Sequence, residues 1–400
     1  ATSYTYGGIV DAGSSGSRLS IYRWWAFKSV PPAVTEVVEE ALIPSKETKV
    51  NPGINSPEGR TNLQNMLTKA AATLSQQNIF AAEIPLFLKA TAGLRILTLE
   101  QRETALSDVR TILMASEFQF QPSWARVISG EEEGVSGWIT ANFWQNTLFD
   151  ADQQYGALDF GGASTQITVP PKVELLANLF NLRLGDSFNT NLYTHSFLYM
   201  GQDQFRKRVD ALAAAQQYGH LDGTLVAAQP APVMSGAGFP NNPCYPRGSP
   251  TTTNFTGTGN YTQCAALARQ LLYKTTTCLT DPTCSINGVY QPPISDNKFV
   301  AFSAIQYLYA TLNLTPTTSL DDMKAAAETF CATEFNKLVN ATQQPGKYVL
   351  GYCHGAAYVY SLLVDGYGMS GSSTTQIYVP PLPSATVPVY SYALGAMMFD

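Results

Sequence analysis

The sequence carries one short device twice. Residues 11–18 read DAGSSGSR and residues 159–166 read DFGGASTQ. In each, an apolar run ends on an aspartate, glycines and small hydroxyl residues follow, and a strand-like run resumes. Strand, tight small-residue loop and strand, repeated far apart in one chain, mark two lobes built on one plan. At 400 residues the chain also exceeds what one ordinary core supports. The expectation is an α/β protein of two lobes. Helical spacing at Leu63, Met66, Leu67, Ala70 and Leu74 fits that class, as does IPLFLKATAG, read as a buried strand ending in a glycine turn.

The two loops share a chemistry. Gly13, Gly16, Gly161 and Gly162 let backbone N–H groups line a loop without interference from a Cβ, which makes an anion nest. Ser14, Ser15, Ser17, Ser164 and Thr165 add hydroxyls, and Arg18 and Ala163 complete the two runs. One such loop is also what an ordinary turn looks like; two in matching places point to a shared phosphate chain. Asp11 and Asp159 each close an apolar strand, where a carboxylate is costly unless something cationic pairs with it. They read as a pair facing a divalent ion bound mostly through water.

Cleaving a phosphoanhydride needs an aligned nucleophile and charge neutralisation more than covalent help. SGEEEGVSGW, residues 129–138, supplies three consecutive carboxylates at what reads as the start of a helix near Glu132. The helix dipole accounts for Glu131 and Glu132. Glu133, set against Gly134, is the candidate general base, with Ser164 and Gln166 orienting its water. Arg95, in KATAGLR, is the candidate clamp on phosphate oxygens. His195, His220 and His354 lack partners in sequence that would suggest a covalent route.

Composition narrows the partners. Net charge is −6 and no Lys/Arg run occurs, which argues against nucleic acid and against an anionic membrane surface. No apolar stretch reaches the roughly 18 residues a spanning helix needs. Charged residues make up 14%, against roughly 25% in an average soluble domain. The six cysteines, Cys244, Cys264, Cys278, Cys284, Cys331 and Cys353, form no CxxC pair, so disulfides in an oxidising compartment are expected rather than zinc. Spacing alone leaves the connectivity open; pairing of sequential neighbours is preferred. The start ATSYTYGGIV, with neither Met nor apolar leader, reads as a mature or trimmed chain from which any signal peptide is gone.

Taken in order, DAGSSGSR, KATAGLR, SGEEEGVSGWITANF, ALDFGGASTQ and FVAFSAIQY make the chain resemble the ecto-nucleoside triphosphate diphosphohydrolases, or apyrases. The resemblance implies two actin-like (RNase H-like) lobes with nucleotide and Ca2+ or Mg2+ between them. Lobe I would comprise residues 1–129 with 368–400, and lobe II residues 130–367. It implies Glu133 as base, Ser164 and Gln166 on the water, Asp11 and Asp159 on the metal's water shell, and the 13–18 and 161–165 loops on the phosphates. Tyr307 and Tyr348 would stack on the nucleotide base, predicting broad base tolerance. It supports the pairs 244–264, 278–284 and 331–353. It predicts a secreted monomer that splits nucleoside tri- and diphosphates. Departures are Gly16, Ser136, and Tyr392 where a Trp is usual, the last expected to loosen packing. The alternatives are an exopolyphosphatase-like enzyme of the same fold and a nucleotide-binding lectin without catalysis.

Overall fold

In the computed structural model, the described residues are 4–25, 38–39, 48–185, 188–218, 239–274, 284–384 and 387–399. The chain divides into two compact units. The first comprises Ala1–Pro170, Leu179–Gly201 and Pro383–Asp400, and the second Pro171–Asn178 and Gln202–Leu382.

The first unit opens with the β-hairpin the repeat predicts. Strands β1 (Tyr4–Ala12) and β2 (Ser17–Trp25) pair antiparallel, with Asp11 opposite Arg18. Two short strands, β3 (Val38–Glu39) and β4 (Lys49–Val50), lie on β2. After α1 (Pro57–Ser75), β5 (Leu86–Ala90) runs parallel to β1; after α2 (Ala92–Arg95) and α3 (Leu99–Met114), β6 (Ala125–Val127) runs parallel to β5. Helix α1 is where the spacing places it. Ser56 caps it by accepting from the Gly59 N–H, and Leu63, Met66, Leu67, Ala70 and Leu74 are its buried stripe.

Strand β1 is buried on both faces, as parallel-type strands under helices must be. Val10, Leu19, Leu86 and Leu88 pack with α1 and α3 on one side. Ile9 and Tyr22 pack on the other with residues of the chain's last helix, Tyr392–Phe399.

Helix α4 (Gly130–Trp144) begins earlier than the expected Glu132. Ser129 is the reason: its hydroxyl accepts from the Glu132 N–H at 3.1 Å and starts the helix at Gly130. A second sheet follows, built as β7 (Gly156–Phe160), β8 (Ser164–Val169), β10 (Phe188–Leu198) and β9 (Leu179–Leu184), antiparallel throughout. Helix α4 packs on this sheet and on the last helix. Its Gly134 is required there, since a Cβ would stand 2.7 and 2.8 Å from the bonded hydroxyls of Thr168 and Thr194.

The second unit is mainly helical. It contains α5 (Gln202–Tyr218), α6 (Tyr261–Gln270), α7 (Ala304–Thr311), α8 (Leu320–Ala332), α9 (Phe335–Thr342) and α10 (Gly346–Tyr360), the last continuing into a π-helical turn at Ser361–Gly366. Strand pairs β11 (Asn241–Asn242) with β12 (Thr256–Gly257) and β13 (Phe299–Ser303) with β14 (Ile377–Tyr378) are parallel. Cys244–Cys264 and Cys331–Cys353 are bonded, as expected. The third expected pair involves Cys278, which lies outside the described residues. Among the described residues no helix is long and apolar enough to cross a membrane.

Candidate active site

The first loop, residues 12–17, joins β1 to β2 and is shaped by close approach. None of Gly13, Gly16, Gly161 or Gly162 has a positive φ. What Gly16 provides is room. A Cβ there would meet Asn51 Oδ1 at 2.2 Å and the Val50 carbonyl at 2.5 Å, so this departure from the usual motif is needed where β4 covers the loop. Ser17 Oγ is buried with no hydrogen-bond partner. Gly93 lies against the same loop, where a Cβ would come 2.6 Å from Ser14 Cα. The KATAGLR turn is thus docked on the loop, and Thr91 N–H donates to the Ala12 carbonyl at 3.2 Å.

The second loop joins β7 to β8. Register places Asp159 opposite Gln166. The Thr165 hydroxyl donates to the Asp159 carbonyl at 2.8 Å and is spent within the loop, so any phosphate contact there falls to backbone N–H groups. Gly201 closes over this loop; a Cβ there would stand 2.4 Å from the Ser164 N atom.

The three glutamates of α4 separate by environment. Glu131 is half-buried, Glu132 forms a two-pronged pair with Arg126, and Glu133 is buried at 6% exposure. Four side chains gather at Glu133. Arg95 donates through Nη2 to Glu133 Oε2 and, at 3.2 Å, to Ser164 Oγ. The Gln166 amide nitrogen lies 3.2 Å from Glu133 Oε2, 2.7 Å from Ser164 Oγ and 2.8 Å from Ser196 Oγ. Arg95, expected on phosphate, is here held by the candidate base. The Gln166 carbonyl oxygen, Oε1, is buried and unpartnered.

Burial pushes the Glu133 carboxyl up to about 8; Arg95 opposes the shift, and the charges of Asp159 and then Asp11 add to it. Asp11 is likewise pushed up by burial, against a hydrogen bond from Tyr392 and the charges of Arg18 and Lys49. Glu133 therefore lies within electrostatic reach of both loop aspartates. Among the described residues no set of three His, Cys, Asp or Glu converges as a direct metal cage.

Two participants carry no local sequence signal for their role. Ser196 sits in β10 within YTHSFLYMGQDQ, a run that resembles the same family but by itself gives the serine no role. Tyr392, expected to loosen packing, is instead buried, donates to the Lys89 carbonyl at 2.8 Å, and hydrogen-bonds Asp11. Its only signal is its place in the apolar terminal helix. Tyr307 and Tyr348 lie in the second unit, on α7 and α10, both rings about half exposed. Tyr307 is presented by a strand-to-helix turn at Ser303, whose φ of 70° is a strained value for a non-glycine residue. His354 is paired with Asp210 at 3.0 Å in the second unit.

The chain is 35% identical to ectonucleoside triphosphate diphosphohydrolase 2 of Gallus gallus, over 99% of this chain and 83% of that protein. It is 32% identical to ectonucleoside triphosphate diphosphohydrolase 1 of Bos taurus, over 93% of this chain and 77% of that protein. Among solved structures, nucleoside triphosphate hydrolases from Neospora caninum match with a TM-score of 0.68 at 15% identity, covering 100% of this chain and 92% of that chain. The Aquifex aeolicus member of the Ppx/GppA family matches with a TM-score of 0.50 at 10% identity, covering 99% and 97%. These share the expected actin-like α/β fold. The model of the GDA1/CD39 (nucleoside phosphatase) family matches residues 1–398, and the chain belongs to that family.

Proposed function

We propose that the protein hydrolyses nucleoside tri- and diphosphates to monophosphate and phosphate, by in-line attack of a water activated by Glu133. The observation that carries this reading is the convergence of Arg95, Ser164 and Gln166 on a buried Glu133 that feels the charges of both loop aspartates. The water sits between Glu133 and Gln166. Glu133 accepts one of its protons, and Gln166 Oε1, a buried acceptor without a partner, takes the hydrogen bond from the other. The lone pair then faces the terminal phosphorus. The new P–O bond forms as the bridging P–O bond breaks, and its electrons leave with the remaining phosphate. The N–H groups of both loops and the hydroxyls of Ser14, Ser15 and Ser17 hold the phosphates. Arg95, drawn from Glu133 to a phosphate oxygen, carries part of the transferred charge.

Asp11 and Asp159 would hold a divalent cation through its water shell. Two aspartates whose charges both reach Glu133 suit a hydrated hard cation, Ca2+ or Mg2+. Bound there, the cation supplies charge neutralisation for the carboxylates and the phosphates. Exposed Tyr307 and Tyr348 suit stacking on a base with little reading of its edges. The similar proteins are ecto-enzymes by name, which supports a place outside the cell for this protein as well.

The test is phosphate release from ATP, ADP, AMP and polyphosphate, with Ca2+ or Mg2+ and then chelator, beside Glu133→Gln. Cleavage of ATP and ADP but not AMP, lost with chelator and in the variant, is expected. Activity on polyphosphate alone would replace the nucleotide reading. Tight nucleotide binding without turnover would make this a binding protein.

A further inference from the structure

We propose that Ser196 is a positioning residue for hydrolysis: its hydroxyl fixes the orientation of the Gln166 amide, so that the amide oxygen faces the attacking water. This rests on the Glu133–Gln166 reading above and assigns a role to a residue outside both loops.

The argument begins with register. Ser196 is directly opposite Gln166 in the β8–β10 pair, so the two side chains share a face of the sheet. Ser164, two residues before Gln166, shares that face as well. The Gln166 amide nitrogen has two hydrogens, and its shortest contacts are the two serine hydroxyls, at 2.7 Å to Ser164 and 2.8 Å to Ser196. Glu133 Oε2 is further, at 3.2 Å. With the nitrogen held from both strands, the direction of Oε1 is set. That oxygen is buried and meets no protein donor. The serines therefore fix the direction of a buried acceptor that no protein donor occupies.

Gly130 shows how closely β10 and Arg95 approach the start of α4. A Cβ there would stand 2.1 Å from Ser196 Cβ, 2.3 Å from Ser196 Oγ and 2.5 Å from Arg95 Nη1. Any residue with a Cβ at position 196 would need that room, so the glycine secures the approach of the strand that carries Ser196 to the base, and the case for the hydroxyl itself rests on its contact with the Gln166 amide.

Without the Ser196 hydroxyl one amide hydrogen has no partner on the β10 side. The amide then turns, presenting N–H where the water needs an acceptor. Substrate holding by the loops is untouched, so the loss falls on kcat.

The experiment is steady-state ATP hydrolysis by Ser196→Ala, Gln166→Ala and the double variant, with melting curves and Glu133→Gln alongside. Ser196→Ala is expected to lower kcat about tenfold, the value of roughly one well-placed hydrogen bond, with KM within about twofold. In the Gln166→Ala background the same change should add nothing, because Ser196 acts only through that amide. An unchanged kcat in Ser196→Ala, or a full additional loss in the double variant, overturns the proposal. If Glu133→Gln is inactive while Ser196→Ala turns over like wild type, this inference alone falls. If Glu133→Gln retains activity, the reading beneath falls and takes this one with it.

Discussion

Glu133 should cost the folded protein stability in proportion to how well it is placed for catalysis, and the cost can be measured without turnover. Burial raises its carboxyl from 4.5 to about 8, with the two aspartates adding to the shift. An acid whose pKa is raised on folding binds its proton more tightly in the native state. Its contribution is therefore fully present below the unfolded value and lost as pH rises toward the folded one. Each pH unit within that window is worth about 1.4 kcal/mol, so between pH 5 and pH 8 the loss sums to roughly 3–4 kcal/mol. For a unit of about two hundred residues that corresponds to a drop in Tm of roughly 10 °C. Glu133→Gln keeps the shape and removes the charge. In chelator, denaturant unfolding at pH 5 and pH 8 should show the wild type losing this stability while the variant loses much less, so that the inactive protein is the more stable at pH 8. Ca2+ or Mg2+ should flatten the wild-type slope, because a cation beside Asp11 and Asp159 favours ionised Glu133. Identical slopes for wild type and variant in chelator would refute the reasoning, as would a variant less stable than wild type at pH 8.

Two further outcomes follow from the geometry. Tyr392→Phe removes the donor to the Lys89 carbonyl and to Asp11, and should cost about 1–3 kcal/mol of unfolding free energy for a buried acceptor left unpaired, read from denaturant curves. Tyr307→Ala should raise the KM for ATP roughly tenfold, the worth of one stacked ring, while hydrolysis of tripolyphosphate stays at the wild-type rate; equal losses on both substrates would place Tyr307 outside base binding.

Legibility in the chain follows contiguity. The two Asp-plus-small-residue loops are local devices, and an acidic triplet next to a helix start is a local signal, so consecutive residues suffice to name Asp11, Asp159 and Glu133. Even there the reason for the pattern is only half visible. The loop glycines suggest backbone freedom, yet none of the four has a positive φ, and Gly16 serves instead to let Asn51 and Val50 lie close. The acidic residues suggest a helix start near Glu132, but the Ser129 cap takes the first turn and moves the start to Gly130. Arg95 reads as a cation beside a phosphate loop, but sequence does not say which anion holds it, and here that anion is the candidate base.

Ser196 marks where contiguity ends. The run around it, YTHSFLYMGQDQ, carries a family resemblance but assigns this serine nothing. Its meaning comes from pairing across a sheet with Gln166 and from a glycine in a helix many residues earlier. Register is a long-range quantity: a one-residue slip of β10 would send Ser196 to the other face and bring an unrelated side chain to the amide. The site is therefore specified at two levels. In the proposed reaction, the groups assigned to phosphate and to the proton lie in contiguous motifs, because loop backbone and side chains must act together. The group proposed to aim them is placed by strand alignment, and glycine at the first position of α4 leaves room for that strand.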